Sequence, residues 1–252
     1  MITIGLGLAL ALIIGLTLGL FGGGGSTLTV PIFVYVLGFD AKLAIAMSFP
    51  VVGATSLVGA IRHWRAGNIR LGDALLFGLV AMTGAYGGAR ASRLLDGREQ
   101  LIILGVAMAA AAAMMLRSAQ HEDHDADAVQ PASLALYAVG FAVGALTGTI
   151  GIGGGFLLVP ALVGFGKVPM REAIGTSLLV IAMNCVSGFA GQRTTQDIPW
   201  LFVCTFSAVA IAGILAGSRL VRFVPARTLK RGFALLLLVI AVLVLWQNRA
   251  KL

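Results

Sequence analysis

This sequence predicts an all-α polytopic membrane protein built from two homologous repeats, each a glycine-broken segment followed by further transmembrane helices. Three observations carry that expectation. Only 11% of the 252 residues are charged and 59% are hydrophobic, with a mean hydropathy of +0.99, whereas a soluble domain needs roughly a quarter charged residues to wet its surface. Apolar stretches of about 20 residues recur, each able to cross a hydrocarbon core of roughly 30 Å at 1.5 Å per residue. The chain also returns on itself after 129 residues, the separation of Gly15 and Gly144.

Taken in order, spans are expected near 2–20, 43–62, 70–90, 99–117, 132–150, 172–192, 199–219 and 229–247, with two shorter apolar pieces at 27–38 and 156–166. The N-terminal stretch lacks the basic region of a cleavable signal and runs into sequence that reappears later. The net charge of +8 does not imply a nucleic-acid partner. Its Lys and Arg sit in short connections, such as Arg62, Arg65 and Arg70, where basic residues set membrane orientation. Cys185 and Cys204 both fall inside spans and read as buried apolar thiols.

The internal register is detailed. Gly15, Gly19, Gly22, Gly24, Gly25, Leu28, Val30 and Pro31 superpose on Gly144, Gly148, Gly151, Gly153, Gly154, Leu157, Val159 and Pro160. The same shift continues through Ser48, Gly59, Gly84 and Arg90 onto Ser177, Gly188, Gly213 and Arg219. Shared Leu or Ala means little in an apolar chain, but a Gly-Gly followed six residues later by Pro, twice in one register, indicates a duplicated unit. The repeats are expected at 1–117 and 131–252, joined by a polar linker at 118–130. The run His121–Asp127 holds four of the ten acidic residues. Its spacing fixes no metal geometry, so it reads as a solvated linker.

Each short apolar piece follows a glycine cluster, Gly22–Gly25 in one half and Gly153–Gly155 in the other. Glycine costs about 1 kcal/mol relative to Ala in a helix interior, so the clusters should break the helix at membrane depth. Broken backbone survives there only when protein or a polar cavity surrounds it. A helix restarting after the break offers free N–H groups and a positive dipole end, which suits an anion. The competing reading is tight helix–helix packing by small residues. Discontinuous segments at matching places in two repeats point instead to a transporter site.

The candidate binding residues are therefore Gly24, Gly25, Ser26, Thr27, Gly153, Gly154 and Gly155. The polar strip of the following span adds Ser48, Thr176, Ser177 and Asn184. Ser26 and Thr27 are matched by Gly155 and Phe156, so the two clusters are chemically unequal. Thr55 and Ser56 belong to the same strip, whose hydroxyls can also bond back to their own helix. A mid-span amide such as Asn184 needs partners. No Asp, Glu, Lys or Arg lies deep in a span, and Asp73 and Glu172 sit near span ends. That disfavours a cation channel or a carboxylate-based proton pump. No nucleophile–base pair or metal cluster suggests an enzyme, and no cofactor is expected.

These motifs resemble the sulfite and organosulfonate exporter family called TauE/SafE. The resemblance rests on GIGGGFLLVPAL (Gly151 to Leu162), REAIGTSLLVIAMNCVSG (Arg171 to Gly188), GGGGSTLTVP (Gly22 to Pro31) and LVGAIRHWRAGNI (Leu57 to Ile69). It implies a multi-pass protein of the cytoplasmic membrane, a secondary transporter that exports a small anion such as sulfite or an organosulfonate. Import, or a channel for another small oxyanion or carboxylate, is the alternative. Lipid surrounds such a protein, and a homodimer is an open option for its assembly. His63-Trp64 of the first half is replaced by Gln192-Arg193 in the second. A role for His63 need not be doubled; proton carrying is one reading of it, and an interfacial loop position is the expected one.

Residues 2–38 allow two topologies. One long kinked crossing gives four spans per half and parallel repeats; a re-entrant hairpin gives three further spans per half and inverted repeats. Both put 11 of the 18 Lys and Arg on one side, so charge does not choose. Length favours the hairpin, since some 35 residues are about twice what one crossing needs. Both glycine tips would then meet at the centre.

Overall fold

The structure is a computed structural model, and it describes residues 2–120, 134–151, 155–164, 166, 168–192 and 198–249. Among these, every regular element is helical: α1 (Ile2–Phe21), α2 (Gly24–Pro31), α3 (Ala41–Arg65), α4 (Leu71–Ala91), α5 (Gly97–Gln120), α6 (Leu134–Ile150), α7 (Gly155–Gly164), α8 (Met170–Gly191), α9 (Trp200–Leu220) and α10 (Ala226–Arg249). Six helices are long and apolar enough to cross a membrane, namely α3, α4, α5, α8, α9 and α10. Large apolar side chains such as Leu79, Val106, Leu201 and Leu235 stay exposed on them, as a lipid surround requires. The chain is a multi-pass membrane protein.

Local chemistry explains the element ends. The Asp40 carboxylate caps α3 by accepting from Lys42 N at 2.9 Å, satisfying a first-turn N–H. Arg62, His63 and Arg65 occupy the last turn of α3, where cations suit the dipole. Pro31 ends α2, and the chain continues as a π-turn over Ile32–Val36, because proline supplies no N–H and crowds the preceding turn. The helix α5 extends to Gln120, three residues into the expected linker, while His121–Asp127 lies outside the described residues.

Glycine pairs let helices touch backbone to backbone. Gly15 and Gly19 of α1 face Gly213 and Gly217 of α9, and Gly84 and Gly88 of α4 face Gly144 and Gly148 of α6. A methyl group on Gly15 would overlap the Ala210 carbonyl, and one on Gly88 the Ala145 carbonyl. Both interfaces are thus the Gly-xxx-Gly contacts that pack membrane helices without a hydrophobic drive. Packing governs these eight glycines.

Contact order along each interface gives direction. Leu12 meets Gly213 and Leu16 meets Gly217, so α1 and α9 are parallel; Phe141 meets Gly84 and Ala145 meets Gly88, so α4 and α6 are parallel. By contrast, Phe49 meets Gly188 and His63 meets Gly175, so α3 and α8 run antiparallel. Gly105 lies against Leu245, and Arg98 donates to the Asn248 carbonyl at 3.1 Å, so α5 and α10 are antiparallel too. Counterparts 129 residues apart therefore run in opposite senses, which a parallel repeat forbids. Exchanging every helix for its counterpart also turns the α1–α9 and α3–α9 pairs into α6–α4 and α8–α4, all of which pack.

Residues 2–38 form the hairpin. Gly25 packs on Ile14 and Leu18, and Leu37 returns to Gly7, so α2 and its π-turn run back along α1. The second hairpin is α6 with α7. One end of the bundle holds Asp40 and the start of α1, and the other holds Arg65.

Two measurements check this arrangement. With Cys204 replaced, cysteines at Thr3 and Lys42 should label from the same side with an impermeant thiol reagent, and one at Ala66 from the other. Labelling of Thr3 and Lys42 positions from opposite sides would refute the hairpin. Separately, Gly88→Leu should lower thermal stability in detergent by about 1–3 kcal/mol or more through overpacking. Its neighbour Gly87 has open space, so Gly87→Ala should be neutral or stabilise by up to ~1 kcal/mol.

Candidate functional site

The tips of the two hairpins meet. Gly22 and Gly151 turn the chain with φ of 72° and 80°, a left-handed conformation that glycine adopts without a Cβ clash. Each tip seats on the opposite half. A methyl on Gly22 would lie 2.8 Å from Ser177 Oγ on α8, while Ser48 of α3 points its hydroxyl at the Gly151 carbonyl. Between the tips, a methyl on Gly23 would overlap the Gly155 carbonyl. The N-terminus of α2 therefore abuts that of α7, and the two helices leave this junction toward opposite ends of the bundle. Gly23 offers no side-chain cap to α2. Each N-terminus carries roughly half a positive charge, so the junction brings two positive dipole ends head to head inside apolar spans.

The expected site residues divide around this point. Gly24 faces the side chains of Phe21, Phe233 and Leu236, and Gly25 faces the α1 backbone, where its small size serves packing. Ser26 and Thr27 are fully buried. Their hydroxyls turn back to the Gly23 and Gly24 carbonyls, at 2.7 and 2.5 Å. Ser177 likewise donates to Ile174 O at 2.9 Å and Thr55 to Val51 O at 2.7 Å. These hydroxyl hydrogens are spent on main-chain carbonyls. Gly155 lies in the junction itself; Gly153 and Gly154 lie outside the described residues.

Asn184 stands apart. It is fully buried, and neither its Oδ1 nor its Nδ2 meets a hydrogen-bond partner among the described residues. It lies on α8 one turn beyond Ile181, whose Cδ1 touches Gly155, and two turns beyond Ser177, on the face that meets the tips. Ser56 Oγ, fully buried on α3, is also without a partner. A buried amide left unpaired costs about 1–3 kcal/mol for each unsatisfied group. Thr176 is not brought to the junction; its Oγ1 accepts from Arg70 N at 3.2 Å, beside the Arg70–Glu172 ion pair of 2.5 Å.

Two corrections follow. His63 is no interfacial loop residue: it lies in the last turn of α3, only 2% exposed, against Gly175 of α8. The junction residues Gly22, Gly23 and Gly151 were not among the expected site residues, although the double glycine cluster marked their neighbourhood. Among the described residues no three His, Cys, Asp or Glu come together as a metal site.

Comparison with known proteins agrees with the architecture. A probable membrane transporter protein of Xylella fastidiosa (strain 9a5c) is 34% identical over 232 residues, covering 89% of this chain and 88% of that one. The probable membrane transporter protein YdhB of Bacillus subtilis (strain 168) is 26% identical over 74% of this chain and 78% of its own. A probable membrane transporter protein of Haemophilus influenzae is 27% identical over 84% and 87%. No solved structure matches the chain. The family model for the sulfite exporter TauE/SafE matches residues 7–244, nearly the whole of the two hairpins and six crossing helices described above. The chain belongs to the TauE/SafE family of membrane transporters.

Proposed function

We propose that the protein is a secondary transporter that exports a small oxyanion, such as sulfite or an organosulfonate, across the cytoplasmic membrane. The observation that carries this reading is the head-to-head meeting of the α2 and α7 N-termini at Gly23 and Gly155. Two positive dipole ends repel one another in a low-dielectric interior. An anion between them would turn that repulsion into attraction on both sides, with backbone N–H groups as donors. Asn184, one turn away, would supply a side-chain donor, and no buried cation is needed.

The two halves, taken as copies of one unit set in opposite senses, suit alternating access. One set of elements can rock against the other around a site held at the point where both tips meet. Of the 18 Lys and Arg, 11 belong to the Arg65 end, which the bias of basic residues toward the inside assigns to the cytoplasm. The reading includes no chemical turnover of the anion.

Purified protein in liposomes should move one or more of sulfite, sulfate, sulfoacetate and small carboxylates down an imposed gradient. Movement of none of them would sink the oxyanion reading. A residue-level test separates binding from packing. Asn184→Leu, of similar volume, should keep or raise thermal stability because an unpaired buried amide is removed, by roughly 1–3 kcal/mol. It should weaken transport affinity about tenfold or more, the loss of one to two hydrogen bonds to a charged group. Ser26→Ala, whose hydroxyl is turned to Gly23 O, should change affinity by no more than about fivefold, the worth of one neutral hydrogen bond. An Asn184→Leu protein that is unstable, or stable with wild-type affinity, would remove Asn184 from the site.

A further inference from the structure

The main helix pairings recur when the halves are exchanged, but the polar lining does not. At the Arg65 end, a recess of about 290 Å³ opens between α3 and α9, lined by Val58, Ile61, Arg62, Arg65, Ala66 and Leu215. Arg62 and Ala66 also border a smaller recess whose other walls are His63, Asn68 and Ser218. A methyl on Gly19 would lie 2.7 Å from Ser218 N, and one on Gly175 would lie 3.0 Å from His63 Cβ. Gly19 is one turn before Gly22, and Gly175 is two residues before Ser177, where the first tip seats. The small recess therefore lies about one helical turn from the place where the first tip seats.

The matching positions at the other end do not repeat this chemistry. Arg62, His63, Thr176 and Ser218 correspond to Gly191, Gln192, Met47 and Ala89. At that other end Arg93 lies over the matching position and donates to the Gly191 carbonyl at 3.1 Å. The Arg62 guanidinium is also incompletely satisfied: its Nε is buried without a hydrogen-bond partner among the described residues. An oxyanion accepting from a guanidinium makes short, charge-assisted bonds. Field lines from Arg62 and Arg65 are focused by the apolar wall of Val58, Ile61 and Leu215, raising the local anion concentration.

We propose that Arg62, with Arg65 at the rim and His63, Asn68 and Ser218 behind it, forms a recruitment site for a small oxyanion. The site lies outside the central glycine junction and feeds it from the Arg65 end. The proposal deepens the anion-transport reading and rests on it for its role, although binding itself can be read without transport. A phospholipid phosphodiester has the same anion chemistry and could reach the mouth along Val58 and Ile61. The polar walls His63, Asn68 and Ser218 behind the mouth favour the free anion.

The test uses the full-length protein with Cys204→Ser and Ala66→Cys, in nanodiscs of phosphatidylcholine. Ala66 is exposed and borders both recesses, while Cys185 is buried. The rate of labelling by a membrane-impermeant methanethiosulfonate is measured with and without methanesulfonate, and again with sulfate. At least one anion should slow labelling roughly threefold or more, Arg62→Gln should abolish the protection, and Arg62→Lys should keep part of it, as a charge-assisted site requires. Thermal stability is measured on each variant; if Arg62→Gln does not fold, Arg65→Gln should show the loss. Absence of protection by either anion, or undiminished protection in the glutamine variants, would overturn the proposal. So would labelling that ignores both free anions and slows only when phosphatidylglycerol replaces phosphatidylcholine. A protein that shows this protection but moves no oxyanion in liposomes would refute the transport function and leave the binding site standing.

Discussion

In a hydrocarbon interior, backbone that leaves its helix must be enclosed by other helices, because lipid offers its N–H and C=O groups no partner. The two glycine tips are such backbone, and much of the structure can be understood as their enclosure. Each tip is clamped by the polar helix of the opposite half, Gly22 on α8 and Gly151 on α3. The arms that carry the tips are held by backbone-to-backbone glycine contacts, α1 on α9 and α6 on α4. Around them α5 and α10 pack antiparallel and cover the remaining flank, with Phe233 against Phe21 near the first tip.

That enclosure separates the roles of the glycines. Gly15, Gly19, Gly84, Gly88, Gly144, Gly148, Gly213 and Gly217 exist for close approach of helices, and a methyl group on any of them would strike main-chain atoms. Gly22 and Gly151 exist for their left-handed turns. Gly23 and Gly155 let two helix N-termini meet without a side chain between them. Helix packing and the turning of the tips therefore fall to different glycines in the same hairpin.

Helix boundaries were legible in the sequence to within a few residues, because length and hydropathy alone decide what spans a bilayer. The offset of 129 residues pairs α3 with α8 and α5 with α10, and each of these pairs packs antiparallel. The Gly-xxx-Gly spacing of Gly15/Gly19, Gly84/Gly88, Gly144/Gly148 and Gly213/Gly217 was present too, and it could have distinguished packing glycines from tip glycines. His63 departs from its expected loop position because α8 packs over the end of α3 and covers the imidazole.

The sequence by itself determined the class, the spans, the glycine breaks and the absence of ionisable groups deep in any span. Each follows from composition and from the energy of placing a residue in hydrocarbon, which is a property of the residue and its near neighbours along the chain. Only the tertiary structure decided that counterparts run in opposite senses and that Gly23 meets Gly155. The charge count was the same for both topologies, and contacts between residues more than a hundred positions apart leave no periodicity in one chain. The same holds for the polar groups. Ser26, Thr27 and Ser177 turn their hydroxyls to carbonyls one helical turn back, while Asn184 finds no such partner. Which buried polar group is satisfied depends on the neighbouring helices, and residue type alone does not specify them.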